Sequence, residues 1–240
     1  MKKTLLLLLL LVCFQQAGAQ LFTKERIAND ASGGKGDLDN HFLTWGYYLG
    51  FNRYDFKFEY NEQFNDRNTD VRVETQMGFN VGLVGDLRLG KHINLRLEPG
   101  IFYTQRNFIF PRIGDEQAAF RESKSTYVHL PLLLKLSTKR KNNFKPFIIG
   151  GLSTSLNLSA NQNNPDDNSR GQFRMKKYTN YYELGFGVDL YLYYFKFTPS
   201  VRGIFATSNE LVPDDSPSSA YTGNISYMGT SGVFINFTFQ

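Results

Sequence analysis

The stretch that decides the fold is MGFNVGLVGDLRLG, residues 77–90, where large apolar side chains alternate with small or charged ones. Read as a β-strand, it has two unlike faces, because successive side chains point to opposite sides. One face carries Met77, Phe79, Val81, Leu83, Leu87 and Leu89, and the other carries Gly78, Asn80, Gly82, Asp86 and Arg88. A face that meets water carries long polar side chains rather than glycines. The pattern therefore predicts a cramped polar interior and an apolar exterior that faces lipid.

The same alternation predicts eight strands along the chain. They lie at about 42–60, 71–88, 93–108, 127–136, 144–158, 181–192, 195–205 and 224–240. In the first strand the apolar face changes parity near Asn52-Arg53, which we interpret as a β-bulge that turns Tyr54, Phe56, Phe58 and Tyr60 outward. Each strand is long enough to cross a membrane at a tilt.

The links between these strands alternate in length. Residues 61–70, 107–126, 159–177 and 206–223 form long polar links, whereas those near 90, 140 and 193 are short. This arrangement predicts an all-β, eight-stranded antiparallel transmembrane barrel with short periplasmic turns and long extracellular loops. Aromatic girdles at the two interfaces explain Trp45, Tyr48, Tyr103, Tyr127, Tyr181, Tyr182, Tyr193 and Tyr194. The alternative fold is a secreted β-sandwich or lipocalin-like barrel, which would carry a richly polar outer face.

Charged residues repeat on the face that this barrel would turn inward. They are Asp86, Arg88, Arg96, Glu98, His129, Lys135, Glu183, Asp189, Lys196 and Arg202. An eight-stranded barrel has room for little more than its own side chains, and buried charges persist only when paired. We therefore predict a lumen filled by a structural salt-bridge network rather than a pore.

The start of the chain has the organisation of a secretory signal peptide. Lys2 and Lys3 precede an apolar run at residues 5–14, and Ala17-Gly18-Ala19 forms a small-residue cleavage site. The expected domains are a cleaved signal at 1–19, a polar periplasmic tail at 20–40 and the barrel at 41–240. A membrane anchor is the less favoured alternative, since the apolar run is about half the ~20 residues that a spanning helix needs.

Several stretches resemble the PorT family of small outer-membrane barrels. They are GFNVGLVGDLRLGKHINLRLEPGIFYTQRN (78–107), VHLPLLLKL (128–136) and KPFIIGGLSTS (145–155), together with the signal peptide. The resemblance implies a role in type IX secretion, which exports adhesins, gliding proteins and hydrolases. It implies other secretion components as partners and brings no catalytic residues with it.

The remaining chemistry of the sequence is sparse. The formal charge of +5, or +3 without Lys2 and Lys3, forms no basic stripe for nucleic acid. The three histidines lack metal-ligand spacing, so we expect no metal, cofactor or small-molecule substrate. Ser125, Thr126 and His129 give only a weak indication of a lipid-modifying enzyme. Two functions stay open beside outer-membrane lipid contact: a component of a secretion apparatus, or a generic barrel that acts as adhesin, receptor or envelope stabiliser.

Overall fold

The computed structural model describes residues 41–61, 70–111, 113–115, 119–160, 174–192, 194–214, 216, 219 and 221–240. The predicted signal peptide and tail at 1–40 lie outside this part of the chain. The strands are β1 Leu43–Tyr60, β2 Arg72–Thr75, β3 Met77–Arg88, β4 Ile93–Leu97, β5 Gly100–Ile109, β6 Phe120–Ser137, β7 Phe144–Asn157, β8 Tyr178–Tyr191, β9 Lys196–Ala206 and β10 Ile225–Phe239. No helix among the described residues is long and apolar enough to span a membrane.

The strands close into one antiparallel ring. The order around the ring is β1-β10-β9-β8-β7-β6, followed by one position shared by β4 and β5 and one shared by β3 and β2. The ring closes where β3 pairs with β1, from Leu43↔Leu87 to Arg53↔Met77. Gln76 separates β2 from β3, and Glu98-Pro99 separates β4 from β5, so ten segments build eight positions of the wall. The pairing of β1 with β3 closes the sheet over the lipid-facing part of the barrel, as a sheet in lipid requires. The eight-stranded outer-membrane barrel that the sequence predicts is confirmed.

An apolar belt surrounds the outside of the barrel. On β6 the outward side chains run Val128, Leu130, Leu132, Leu134 and Leu136, all about two-fifths to one-half exposed. Lys124 lies on the same outer face towards one end, and Thr138 and Lys139 lie beyond the other. The belt is about 26 Å long along the strand at roughly 3.3 Å per residue. It matches the apolar band of outer-membrane barrels.

The β-bulge predicted at Asn52-Arg53 in β1 is wrong, although the apolar residues do change faces there. The register with β10 runs without interruption from Tyr47↔Phe239 to Glu59↔Tyr227, so there is no bulge at Asn52-Arg53. Tyr54 and Phe56 are buried inside, whereas Arg53, Asp55, Lys57 and Glu59 are exposed outside. The strand leaves the lipid belt after Phe51 and continues as a wall in water, where the exterior is charged.

The link predicted at 107–126 is also shorter than expected. β5 and β6 stay paired up to Ile109↔Phe120, beyond the belt. Phe56, Val71, Phe108, Phe110, Met175, Leu211, Ile225 and Met228 form an apolar cluster inside this extracellular extension. Met175 and Leu211 come from the links between strands and bridge each other. The barrel therefore continues above the membrane as an extension filled by this cluster, which we call the extracellular stalk.

Candidate functional site

The lumen holds a chain of buried ion pairs that begins on β3 and β4. Arg96 donates from Nη2 to Asp86 Oδ2 at 2.7 Å and from Nη1 to Glu98 Oε1 at 3.3 Å. Asn94 donates to the other oxygen of Asp86 at 2.6 Å. The alternation in DLRL and LRLEPG places Asp86, Arg96 and Glu98 on the inner face, where lipid cannot reach them.

The ion pairs then cross the barrel. Arg202 Nη1 on β9 donates to Glu98 Oε2 at 2.7 Å. Its Nε approaches Glu183 Oε2 at 2.7 Å, as an ion pair without the alignment of a hydrogen bond. In the ring, β9 lies four positions from the wall segment of Glu98, which is the opposite side of an eight-stranded barrel. These two side chains therefore bridge the lumen from one wall to the opposite wall at this level.

A second arm of the network lies nearer the short turns. Lys135 Nζ on β6 donates to Asp189 Oδ2 at 2.6 Å and lies 3.9 Å from Asp86 Oδ2. Thr198 donates to Asp189 Oδ1 at 2.8 Å. Since both oxygens of Asp189 have partners, the carboxylate is compensated although it is buried.

His129 extends the chain of ion pairs to β7. Its Nε2 lies 2.7 Å from Glu183 Oε1, and its Nδ1 lies 2.6 Å from Ser155 Oγ. This Ser-His-Glu connectivity is that of a catalytic triad, but all three side chains are at most 2% exposed. The rings of Phe102 and Phe234 pack edge-on to His129 with centroids at 4.8 and 6.0 Å. A substrate therefore has no access to Ser155.

The suggested lipid-modifying grouping does not form. Ser125 and His129 face the lumen, whereas Thr126 lies on the outer face of β6. Within the described residues, no three His, Cys, Asp or Glu side chains are grouped so that they could hold a metal ion.

The ten predicted lumen residues occupy two environments. Nine are buried, at 6% exposure or less: Asp86, Arg96, Glu98, His129, Lys135, Glu183, Asp189, Lys196 and Arg202. Arg88 is half-buried at the periplasmic mouth, where its Nε donates to the Gly90 carbonyl at 3.4 Å. The contacts above join eight of these residues, and Lys196 lies beside them.

Arg106 is a buried charge that the sequence reading missed. It is fully buried, its Nη2 donates to Tyr127 Oη at 2.7 Å, and its guanidinium lies 4.0 Å from the Phe56 ring centroid. Nε and Nη1 have no hydrogen-bond partner among the described residues. The parity of Glu98, Gly100 and Thr104 extends to Arg106, so simple alternation could have found it.

The aromatic girdle is partly wrong. Tyr48, Tyr127 and Tyr181 are at most 2% exposed and join Tyr54, Phe102 and Phe234 in an aromatic layer inside the barrel. Trp45, Tyr182 and Tyr194 are exposed on the outside, and Tyr193 lies outside the described residues. Tyrosine carries a polar tip on an apolar ring, so it suits a packed lumen as well as a membrane interface.

Gly100 makes room for the tyrosine at the centre of this layer. Tyr48 Oη donates to the Glu98 carbonyl at 3.3 Å, and its ring lies over Gly82 and Gly100. A Cβ at Gly100 would overlap the Tyr48 hydroxyl and lie 2.8 Å from the Val81 carbonyl.

We expect Gly100→Ala to lower the free energy of unfolding by about 1–3 kcal/mol through overpacking. Urea titration in lipid vesicles measures this, and Gly90→Ala, with no atom within 4 Å, is the control. Equal effects of the two variants would contradict the close approach.

Glu210, in the link after β9, gives the extracellular stalk a pH dependence. Burial raises the pKa of this carboxyl, against the opposing effects of the Thr230 amide and the Arg106 charge. The folded protein therefore holds its proton more tightly than the unfolded chain. The contribution of Glu210 to stability is greatest at acid pH and falls as the pH rises from about 4.3, the ordinary glutamate pKa.

Glu210→Gln keeps an acceptor for the Thr230 amide, which donates to Glu210 Oε1 at 2.8 Å in the parent. We expect it to remove this fall, so that the variant gains stability over the parent at pH 8 but not at pH 4. Parallel pH curves for the two proteins would contradict the assignment.

A closed eight-stranded ring with an apolar exterior and a filled polar lumen defines a small outer-membrane barrel protein. The chain belongs to the outer membrane protein beta-barrel domain family, whose model matches residues 19–212. It is an outer-membrane protein, with lipid around its apolar belt.

Three solved outer-membrane proteins are similar to this chain. OprG from Pseudomonas aeruginosa has a TM-score of 0.42 at 18% identity, over 81% of this chain and 94% of its own. AlkL, solved in lipid bilayers, has a TM-score of 0.39 at 14% identity, over 88% and 94%. Ail of Yersinia pestis has a TM-score of 0.36 at 10% identity, over 81% and 96%. No curated protein matches this chain in sequence.

Proposed function

We propose that this protein is a non-enzymatic, non-conducting outer-membrane barrel that acts through protein contacts at its extracellular stalk, as an adhesin, receptor or envelope stabiliser. The single observation that carries the proposal is the Glu98–Arg202 pair between opposite walls, at 2.7 Å. A wide pore through this level would require the pair to separate. Separation would leave two buried charges uncompensated, which is costly in a low-dielectric interior.

The stalk provides the surface for such contacts. Arg53, Asp55, Lys57 and Glu59 alternate outward on β1 above the lipid belt, while Tyr54 and Phe56 fill the inside. The apolar cluster inside packs against this wall and against the links between strands. A rigid scaffold that displays loops is a common basis for recognition.

A closed lumen predicts the absence of channel activity. We expect the protein to show no steady single-channel conductance in planar bilayers, because the ion pairs and the aromatic layer fill successive levels. Insertion is checked in the same samples by the heat-dependent shift of the folded barrel on electrophoresis. Steady conductance from fully folded protein would contradict the proposal.

A more specific candidate is a component of the type IX secretion system. Its support is the resemblance of residues 78–107 to PorT-type barrels. The same stretch contains Asp86, Arg96 and Glu98 of the lumen network. In this candidate the barrel contacts other secretion components and does not itself carry cargo.

Deletion of the gene separates the two candidates. Loss of export of several secreted proteins, with an intact envelope, would support the secretion role. A leaky envelope or reduced attachment with normal export would support the generic barrel. Wild-type behaviour in all three assays would contradict both, and complementation with the parent gene controls for effects on neighbouring genes.

A further inference from the structure

The periplasmic mouth of the barrel contains a pocket lined only by polar residues. Its charged lining is Arg88, Lys135, Lys145, Lys196 and Asp189, so four cations face one carboxylate. His41, Ser137 and Tyr191 also line the pocket. The pocket lies at the level where the short turns join the strands, below the ion pairs that cross the lumen.

The carboxylates near this pocket are already engaged. Asp189 accepts from Lys135 and Thr198, and Asp86 accepts from Arg96 and Asn94. Both carboxylates are therefore already bonded to donors other than Lys196.

Lys196 is the residue that points to a ligand. It is 6% exposed and lines the pocket, and within the described part of the chain its ammonium has no carboxylate within the 4.0 Å of an ion pair. By contrast, Lys135 on the neighbouring side of the pocket contacts Asp189 at 2.6 Å. A buried ammonium without a contacting anion is costly, and an anion in the pocket would offset that cost.

We propose that the periplasmic mouth is a binding site for a phosphate-class oxyanion. Such an anion carries several acceptor oxygens and up to two negative charges, which suit several ammonium and guanidinium donors converging from different strands. The donors come from β3, β6, β7 and β9, so the closed ring fixes their spacing. The anion is either free inorganic phosphate, or a phosphate ester, or the phosphate of a lipid headgroup at the rim.

The test is a titration of the full-length barrel with inorganic phosphate at constant ionic strength, in maltoside micelles that contain no phosphate. Chemical shifts of nitrogen-labelled lysine ammonium groups report the binding. We expect saturable shifts at Lys196, and Lys145→Gln and Arg88→Gln should each weaken binding about tenfold. Both positions are half-buried at the rim, and the heat-dependent electrophoretic shift confirms that each variant is folded.

Lys91→Gln is the matched control. Lys91 is exposed in the turn at the same end of the barrel and does not line the pocket, so phosphate affinity should stay within about twofold. Unsaturable shifts in the parent, or equal losses in all three variants, would overturn the proposal.

Bilayer nanodiscs containing phosphatidylglycerol distinguish the two sources of phosphate. If a headgroup occupies the pocket, inorganic phosphate binds the parent more weakly in nanodiscs than in micelles. Lys145→Gln then reduces that difference. If the anion is soluble, the affinity is the same in both environments.

Discussion

Arg96→Met is expected to lower the free energy of unfolding by about 3–5 kcal/mol, the usual effect of removing one partner from a buried ion pair. Arg96 is 1% exposed and contacts both Asp86 and Glu98, so methionine leaves two buried carboxylates short of their shared cation. A loss of this size is a large part of the ~5–15 kcal/mol that stabilises a typical protein. Urea unfolding in lipid vesicles measures it, with the single tryptophan, Trp45, as the fluorescent probe.

Two further variants make the experiment specific. Arg72→Met makes the same substitution on the exposed side of β2 and should change stability by no more than about 0.5 kcal/mol. Asp86→Asn and Glu98→Gln, added to Arg96→Met, should restore part of the loss because they remove the carboxylates left without a cation. If Arg96→Met unfolds at the same urea concentration as Arg72→Met, the lumen network does not stabilise the barrel.

Leu132→Arg is expected to lower the free energy of unfolding by about 2–4 kcal/mol in a bilayer, the cost of arginine on a lipid-facing strand at the midplane. Leu132 is 51% exposed at the centre of the outward run on β6, with Leu152 beside it on β7. The cost is that of moving a guanidinium from water into hydrocarbon. A secreted soluble barrel would accept arginine at this outward position with almost no penalty.

Asp55→Arg is the control for this effect. Asp55 also faces outward, but it lies above the lipid belt on β1, among other exposed charges. The same arginine should therefore cost less than about 1 kcal/mol there, since it stays in water. Equal costs at Leu132 and Asp55, measured by urea unfolding in vesicles of one lipid, would show that the belt does not lie in the membrane.

Alternation in the sequence was sufficient for much of the barrel. MGFNVGLVGDLRLG has the same inner and outer faces in the structure as in the sequence, with Phe79 and Leu83 outside and Asn80 and Asp86 inside. The reason is local: a strand turns each side chain to a face by its position alone. The same rule would have placed Arg106 inside had it been carried past Thr104.

The rule was misapplied in β1, for a physical reason. Apolar residues face out where the wall meets lipid and face in where it meets water, so a strand that crosses the membrane surface reverses its pattern without reversing its geometry. Leu49 and Phe51 follow the first case, and Tyr54 and Phe56 follow the second. Because alternation alone does not show where the membrane ends, this reversal of the apolar face resembles a β-bulge in the sequence.

The sequence by itself determined that this chain is a lipid-facing barrel with charges turned inward, because side-chain parity and strand length are local properties. Only the tertiary structure decided which charges meet. Glu98 and Arg202 are 104 residues apart and pair because ring closure brings opposite walls together, and His129 joins Ser155 and Glu183 for the same reason. Pairing across a lumen depends on the register of every strand between the partners, and no single stretch of sequence encodes that register.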